Sequence, residues 1–349
     1  MFTYSEKRTE CCGRDPWALA RPRPAAHKEP IGSPERRHGL RPSPATCGGF
    51  TLIELLVSMA VLGVILGGVV SAISSSAQTY IRTEIKSDMY ENVRGVAELM
   101  AQEIGQAGLV SLPASTLSAA VAAGSQTVTV SSTTSMFVNE QVLVDTGGNE
   151  ELVKLTAVTG TSITAVFSKA HASGVPLNAL GAFPNGVVPP GSTDGSTANV
   201  LNLFGDINGD GSLVYVRYTC TPGTAAAPGT LTRSVTTITP GVSAISASQT
   251  LLSTIVGGVG AVCFQYTQVA AANFTPLPPS TVNSFVTNVG FTLSVQATKP
   301  DPQTGVYPQM TKSFLNLAPR NVLAGLELGN ATPGITSRLQ ATPANVVAY

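Results

Sequence analysis

Polar positions all but vanish between Phe50 and Ile73. Those 24 residues contain one charge, Glu54, and no proline. As a helix they extend about 36 Å, enough to cross the ~30 Å hydrocarbon layer of a bilayer. Past Ser74-Ser75-Ser76 the helical period continues in another form. Ile81, Ile85, Met89, Val93, Val96, Met100, Ile104 and Ala107 recur every three or four residues, while Arg82, Glu84, Lys86, Asp88, Glu91, Arg94, Glu98 and Glu103 fall on the other faces. Gly108 suits a helix stop. The pattern predicts one helix over 50–108, with a transmembrane first part (50–73) and an amphipathic second part.

Beyond Gly108 the period shortens to two. Residues 126–130, 141–144, 151–155 and 162–167 read as short strands, with Gly147-Gly148-Asn149 and Thr159-Gly160-Thr161 as turns. They set residues 109–180 apart as an inserted all-β module. Residues 181–200 are rich in Gly, Pro and Ser and read as a linker. Strands are then expected at 213–219, 230–237, 259–267, 286–297 and 309–317, forming an antiparallel head over 201–322, with 323–349 a loose tail. The fold class expected is α+β: a long N-terminal helix packed on an antiparallel β-sheet head, interrupted by a small all-β module.

Charge adds an orientation. Residues 1–49 carry nine Lys/Arg against five Asp/Glu, and the remainder eleven against fifteen. A basic segment before an apolar span stays in the cytoplasm, which places the rest of the chain outside. Residues 1–40, rich in Arg and Pro without period, read as disordered. The mildly acidic remainder gives no basic footprint for nucleic acid. Outside residues 1–49 the only histidine is His171, read as a turn or packing residue. No nucleophile motif surrounds it, and no glycine-rich phosphate loop or Cys-x-x-Cys pair occurs beyond the leader, so the chain reads as a non-enzyme.

A lone carboxylate within an apolar span is costly and points to a specific partner. Its setting, Gly49-Phe50-Thr51-Leu52-Ile53-Glu54, resembles the processing site of type IV prepilins and type II secretion pseudopilins. The segment from Val93 to Gly108, with Val262 to Tyr266, Val289 to Val295 and Pro319-Arg320-Asn321, is similar to PilW-type minor pilins and J-type pseudopilins. The resemblance implies that a prepilin peptidase cuts between Gly49 and Phe50 and methylates the new terminus, so that residues 1–49 are a leader. Glu54 would then meet the terminal amine of a neighbouring subunit during assembly. It also implies an inner-membrane subunit with its head outside, joining other pilins through the helix. Within the family, a minor subunit that initiates or caps a filament is the expectation.

With Cys11, Cys12 and Cys47 in the leader, Cys220 and Cys263 remain, either as a disulfide in a non-cytoplasmic compartment or as two separate buried thiols. Residues 116–180 resemble a compact β-module found in surface and phage-tail proteins, which implies a protruding element. If that module meets a surface ligand, the chain would be a filament-tip adhesin. Asp206-Ile207-Asn208-Gly209-Asp210-Gly211-Ser212 places oxygen-bearing Asp206, Asn208, Asp210 and Ser212 as in the first half of a calcium loop. Arg217 stands where an EF-hand needs Glu, leaving a looser Ca²⁺ loop or a tight Asx turn before a strand.

Overall fold

The computed structural model describes residues 49–179, 181–192, 195–238, 244–257, 261–270, 284–331 and 339–340. Most of the expected leader (1–48, with Cys11, Cys12 and Cys47) and much of the expected tail lie outside them. The chain divides between Val64 and Ile65 into two units. Helix α1 (Leu52–Gln106) runs through that division without a break. In the first unit every side chain from Phe50 to Val64 is exposed.

In the second unit α1 becomes one-sided. Ile85, Met89, Val93, Ala97, Met100 and Ile104, spaced by three or four residues, are buried in the main core. The helix ends where Gly108 takes φ +82°, a conformation natural to glycine. The carbonyl of Gln106, one of those left over at a helix end, accepts the Leu109 N–H and the Asn321 side-chain amide. Glu103, expected on a polar face, is buried instead. Its carboxylate accepts the Tyr218 hydroxyl and the Arg233 guanidinium, so the charge is paired where it enters the core.

Two antiparallel sheets follow. The first contains β1 (Ser115–Thr116), β2 (Gly124–Thr129), β3 (Gln141–Val144), β4 (Glu151–Thr159), β5 (Ser162–Phe167) and β6 (Pro176–Ala179), in the order β1-β6-β3-β4-β5-β2. It curls until its ends meet: Ser118 N–H donates to Thr129 and Ser131 N–H to Thr116. Alternate residues point inward and form a separate core of Val128, Val130, Val142, Val144, Leu155, Ile163, Phe167 and Leu177 among others.

The second sheet contains β7 (Val200–Gly205), β8 (Val214–Thr221), β9 (Gly229–Thr237), β10 (Gln249–Ile255), β11 (Phe264–Ala270), β12 (Ser284–Gln296) and β13 (Gln309–Leu317). Its order is β11-β12-β10-β9-β8-β7, with β13 also on β12. One side of this sheet receives α1 through Leu203, Val216, Tyr218, Leu231, Val289, Phe291 and Leu293. The α+β class expected from the pattern is the class observed.

Three expectations need correcting. Residues 181–192 and 195–199, read as linker, are packed: Ala182, Phe183, Val187 and Ser196 are buried, and the Phe183 ring lies 4.6 Å from that of Phe204. Gly186 and Gly195 there sit against neighbouring backbone. A Cβ on Gly186 would sit 2.5 Å from the Gly108 nitrogen. Strands β1, β6, β7 and β10 were not expected. The tail is not wholly loose: α2 (Arg320–Ala331) forms, and Leu339 and Gln340 are buried. Gln340 reaches into the first sheet, exchanging hydrogen bonds of 2.6 Å with the Gln141 N–H and carbonyl while its own N–H donates to Ala182.

Candidate functional site at the start of the long helix

The residues expected to matter for processing and assembly gather at the first turn of α1. Thr51 is the residue before the first helical position. Its N–H and hydroxyl both donate to the Glu54 carboxylate, each at 3.0 Å, while the Glu54 N–H donates to the Thr51 hydroxyl at 3.4 Å. This is a capping box, in which side chains at the cap and third position satisfy each other's backbone donors. The sequence reading took Glu54 as a charge in search of a partner and missed this arrangement. Its signal was present as Thr51-x-x-Glu54 before an apolar run.

Among the described residues, none covers this helix segment. Phe50 is 85% exposed, and Leu52 through Ile73 leave their apolar side chains open along the whole stretch. Among the described residues, α1 is the one helix long and apolar enough to cross a membrane. Gly63, Gly67 and Gly68 have nothing within reach of a Cβ. Such a surface is stable only in an apolar medium, whether lipid or the helices of other subunits.

The cysteines are joined. Cys220, on β8, and Cys263, just before β11, form a disulfide across 43 residues. Their strands are not sheet neighbours, yet the curl of the sheet brings both backbones to one segment: Cys220 N–H donates to Asn199 and Cys263 N–H to Ala198.

The Asp206 turn has a cause that calls for no ion. Asp206 is fully buried, and its carboxylate accepts the N–H groups of Asp210 at 3.1 Å and Gly211 at 2.9 Å, together with the Ser111 hydroxyl. Asp210 accepts the Ser212 N–H at 2.8 Å, and Asn208 is exposed. The inward carboxylate is thus already surrounded by donors, the state a metal ligand would have to leave. Among the described residues no three His, Cys, Asp or Glu side chains converge as a metal site.

The first sheet holds a second polar cluster. His171 is buried between two acids: Nε2 lies 2.7 Å from Glu151 and Nδ1 3.1 Å from Asp145. Burial alone would lower the His171 pKa, but the hydrogen bonds and charges of Glu151 and Asp145 outweigh it and raise it. The bonds from His171, Asn149 and the Thr146 N–H hold Asp145 down to about 2. For Glu151 burial acts upward, and His171 with the N–H groups of Ser168 and Lys169 overcomes it, so its pKa is lowered. Just before β3, Glu140 is buried with one oxygen unpartnered, and desolvation pushes it up to about 8 against the Phe137 N–H bond. His171, expected to be a turn or packing residue, is the hub of a hydrogen-bonded cluster that ties Glu151 at the start of β4 to Asp145 and Asn149 in the loop before it.

An exposed apolar helix with an engaged carboxylate in its first turn, continuing into an α+β head, has the length and composition of a membrane anchor. Residues 45–70 match the family model of the prokaryotic N-terminal methylation motif, so the chain carries a type IV pilin-like amino terminus. That motif belongs to a structural family, and it implies processing by a prepilin peptidase and assembly with other pilins. No curated protein and no solved structure matches the chain.

Proposed function

We propose that this chain is a minor pilin or pseudopilin, a structural subunit that helps initiate or cap a type IV pilus or a type II secretion pseudopilus. Prepilin peptidase would cut between Gly49 and Phe50 and methylate Phe50. Before assembly α1 would hold the subunit in the inner membrane, with the head outside the cytoplasm. During assembly Phe50 to Ile73 would enter a bundle of neighbouring helices, where Glu54 exchanges Thr51 for an adjacent terminal ammonium. The observation that carries this reading is the coincidence of the methylation motif over residues 45–70 with an apolar first part of α1 that is exposed throughout. A closed β-module adds bulk to the head, which suits a terminal position better than every layer of a filament. The test is incorporation of Glu54→Ala: cleavage is expected to persist while the variant disappears from sheared filaments. Incorporation at the wild-type level would refute the assembly role of Glu54.

The separate core of the first sheet favours a second reading, in which the module is a binding element at the filament tip. Its roots lie close together, since Leu109 and Ala182 form a β-bridge. Replacing residues 112–179 by a short Gly-Ser turn should then abolish attachment and leave filaments in place. Unchanged attachment would remove the adhesin reading.

A further inference from the structure

The loop between β12 and β13 grips α1 close to the end of its apolar stretch. Asp301 binds the Arg82 guanidinium at 2.8 Å, and the Gln303 amide donates to the Gln78 side chain at 2.9 Å. Gln78 follows Ile73 by five residues, about 8 Å along a helix axis. No charged residue lies between Glu54 and Arg82, so nothing pins the helix in water before the turn that the loop holds. That first charge is neutralised by Asp301.

The loop is short and closed by hydrogen bonds from Asp301 N–H to Val306 and from Gly305 N–H to Asp301. Its outer surface mixes apolar, aromatic and cationic groups: Val306 is 65% exposed, Tyr307 is 41% exposed, and Lys299 is exposed. On α1, Tyr80 is 72% exposed. It is two residues from both Gln78 and Arg82, about 200° round the helix, and so projects from the side opposite the loop. Tyrosines with apolar and cationic neighbours are the residues that settle at the boundary of a bilayer, where the ring is buried and the hydroxyl or ammonium stays wet.

We propose that the β12–β13 loop is a membrane-surface contact, with Val306, Tyr307 and Lys299 seated in the headgroup layer of the bilayer that holds α1 and Tyr80 seated there on the opposite flank. The head of the unassembled subunit thus rests on the membrane instead of standing clear of it. The headgroup layer adds about 5–8 Å to each side of the hydrocarbon, which matches the height of Gln78 above Ile73. This inference rests on the reading of residues 50–73 as a membrane span.

Tryptophan fluorescence tests it, because the sole tryptophan, Trp17, lies in the leader. In the full chain carrying Trp17→Phe, a single tryptophan is introduced as Tyr307→Trp, Ile65→Trp or Val166→Trp. Each is reconstituted in phosphatidylcholine vesicles with or without bromine on the acyl chain. The bromine is placed near the headgroup end for Tyr307→Trp and Val166→Trp, and near the methyl end for Ile65→Trp, which lies about 12 Å deeper than Ile73. Tyr307→Trp should emit to the blue of water and lose about half its intensity to brominated lipid, as an interfacial ring does, while exposed Val166→Trp on the module should do neither. Solvent-like, unquenched emission from Tyr307→Trp beside a quenched Ile65→Trp would overturn the surface contact and leave the span intact. An unquenched Ile65→Trp would instead refute the span itself. Blue-shifted but unquenched Tyr307→Trp emission that reverts when protein is diluted in lipid would assign the loop to a second copy and also overturn the proposal.

Discussion

The capping box that Glu54 forms with Thr51 and the assembly role proposed for it call for different chemistry, and one substitution separates them. Glutamine can still accept the Thr51 N–H in a capping box but carries no charge. Glu54→Gln is therefore expected to keep the helix start and the cleavage, and to fail at incorporation as Glu54→Ala does. Filaments containing Glu54→Gln at the wild-type level would mean that the cap, not the charge, is what assembly needs. The acid cluster of the first sheet makes a second prediction at this scale. Asp145 and Glu151 have lowered folded pKa values, so their stabilisation is present above the unfolded carboxylate range and is lost as pH falls through the folded values, about 2 for Asp145. His171 has a raised value, so its contribution is complete below the unfolded histidine pKa and is lost as pH rises through the folded one. Glu140, pushed up to about 8, binds a proton in the folded state that the unfolded chain has released, and so stability falls as pH rises from about 4.5 towards 8. Thermal melts should thus be highest near pH 5 and decline towards pH 8, and Glu140→Gln should flatten that decline. A Glu140→Gln slope equal to wild type would contradict a buried neutral acid. Neither Glu140 nor Glu103 could be placed from the sequence: a lone acid in a polar-looking window gives no sign that distant residues will enclose it.

Among the elements, those with a strong period were legible and those shaped by tertiary contact were not. The buried positions of α1 from Ile85 to Ile104 follow the predicted stripe closely, and β3, β5 and β13 match the expected ranges. Strand β7 was hidden because Val200-Leu201-Asn202-Leu203-Phe204-Gly205 is uniformly buried from Leu201 onward and so lacks alternation. The segment before it looked like a tether because glycine and proline signal turns whether or not the turn is packed. Gly186 shows the difference. With the Ala107 and Gly108 backbone against it, there is no room for a side chain. Gly186→Ala should cost about 2 kcal/mol or more, the scale of a core clash, and a melt unchanged from wild type would show that the crossing is loose. Replacing Cys220 and Cys263 together by serine should cost about 2–4 kcal/mol, read as a lower denaturant midpoint that reductant reproduces in the wild type. The Asp206 turn carries the opposite expectation: with its carboxylate held by Ser111, Asp210 and Gly211, neither EDTA nor added calcium should move the melting temperature. A rise with calcium would restore the ion-binding reading.

The whole molecule combines a chemistry readable from six residues with a head whose relations lie far apart in sequence. The methylation motif around Gly49 to Glu54 was legible in the sequence, and residues 45–70 match its family model, because short motifs act locally. The attachment of the module did not announce itself, since it depends on Gln340 meeting Gln141 across 199 residues and on Phe183 meeting Phe137. These contacts make the module part of the head's packing at its root, so a filament carrying this subunit would present the module in a set orientation. The most direct test of the central claim is mass spectrometry of the mature amino terminus, taken from membrane and sheared-filament fractions. A chain that begins with N-methylated Phe50 is the expected result, and it would put residues 1–49 outside the working protein. A chain that keeps its leader, or is cut beyond Ile73, would contradict the pilin pathway and leave Glu54 as nothing more than a helix cap.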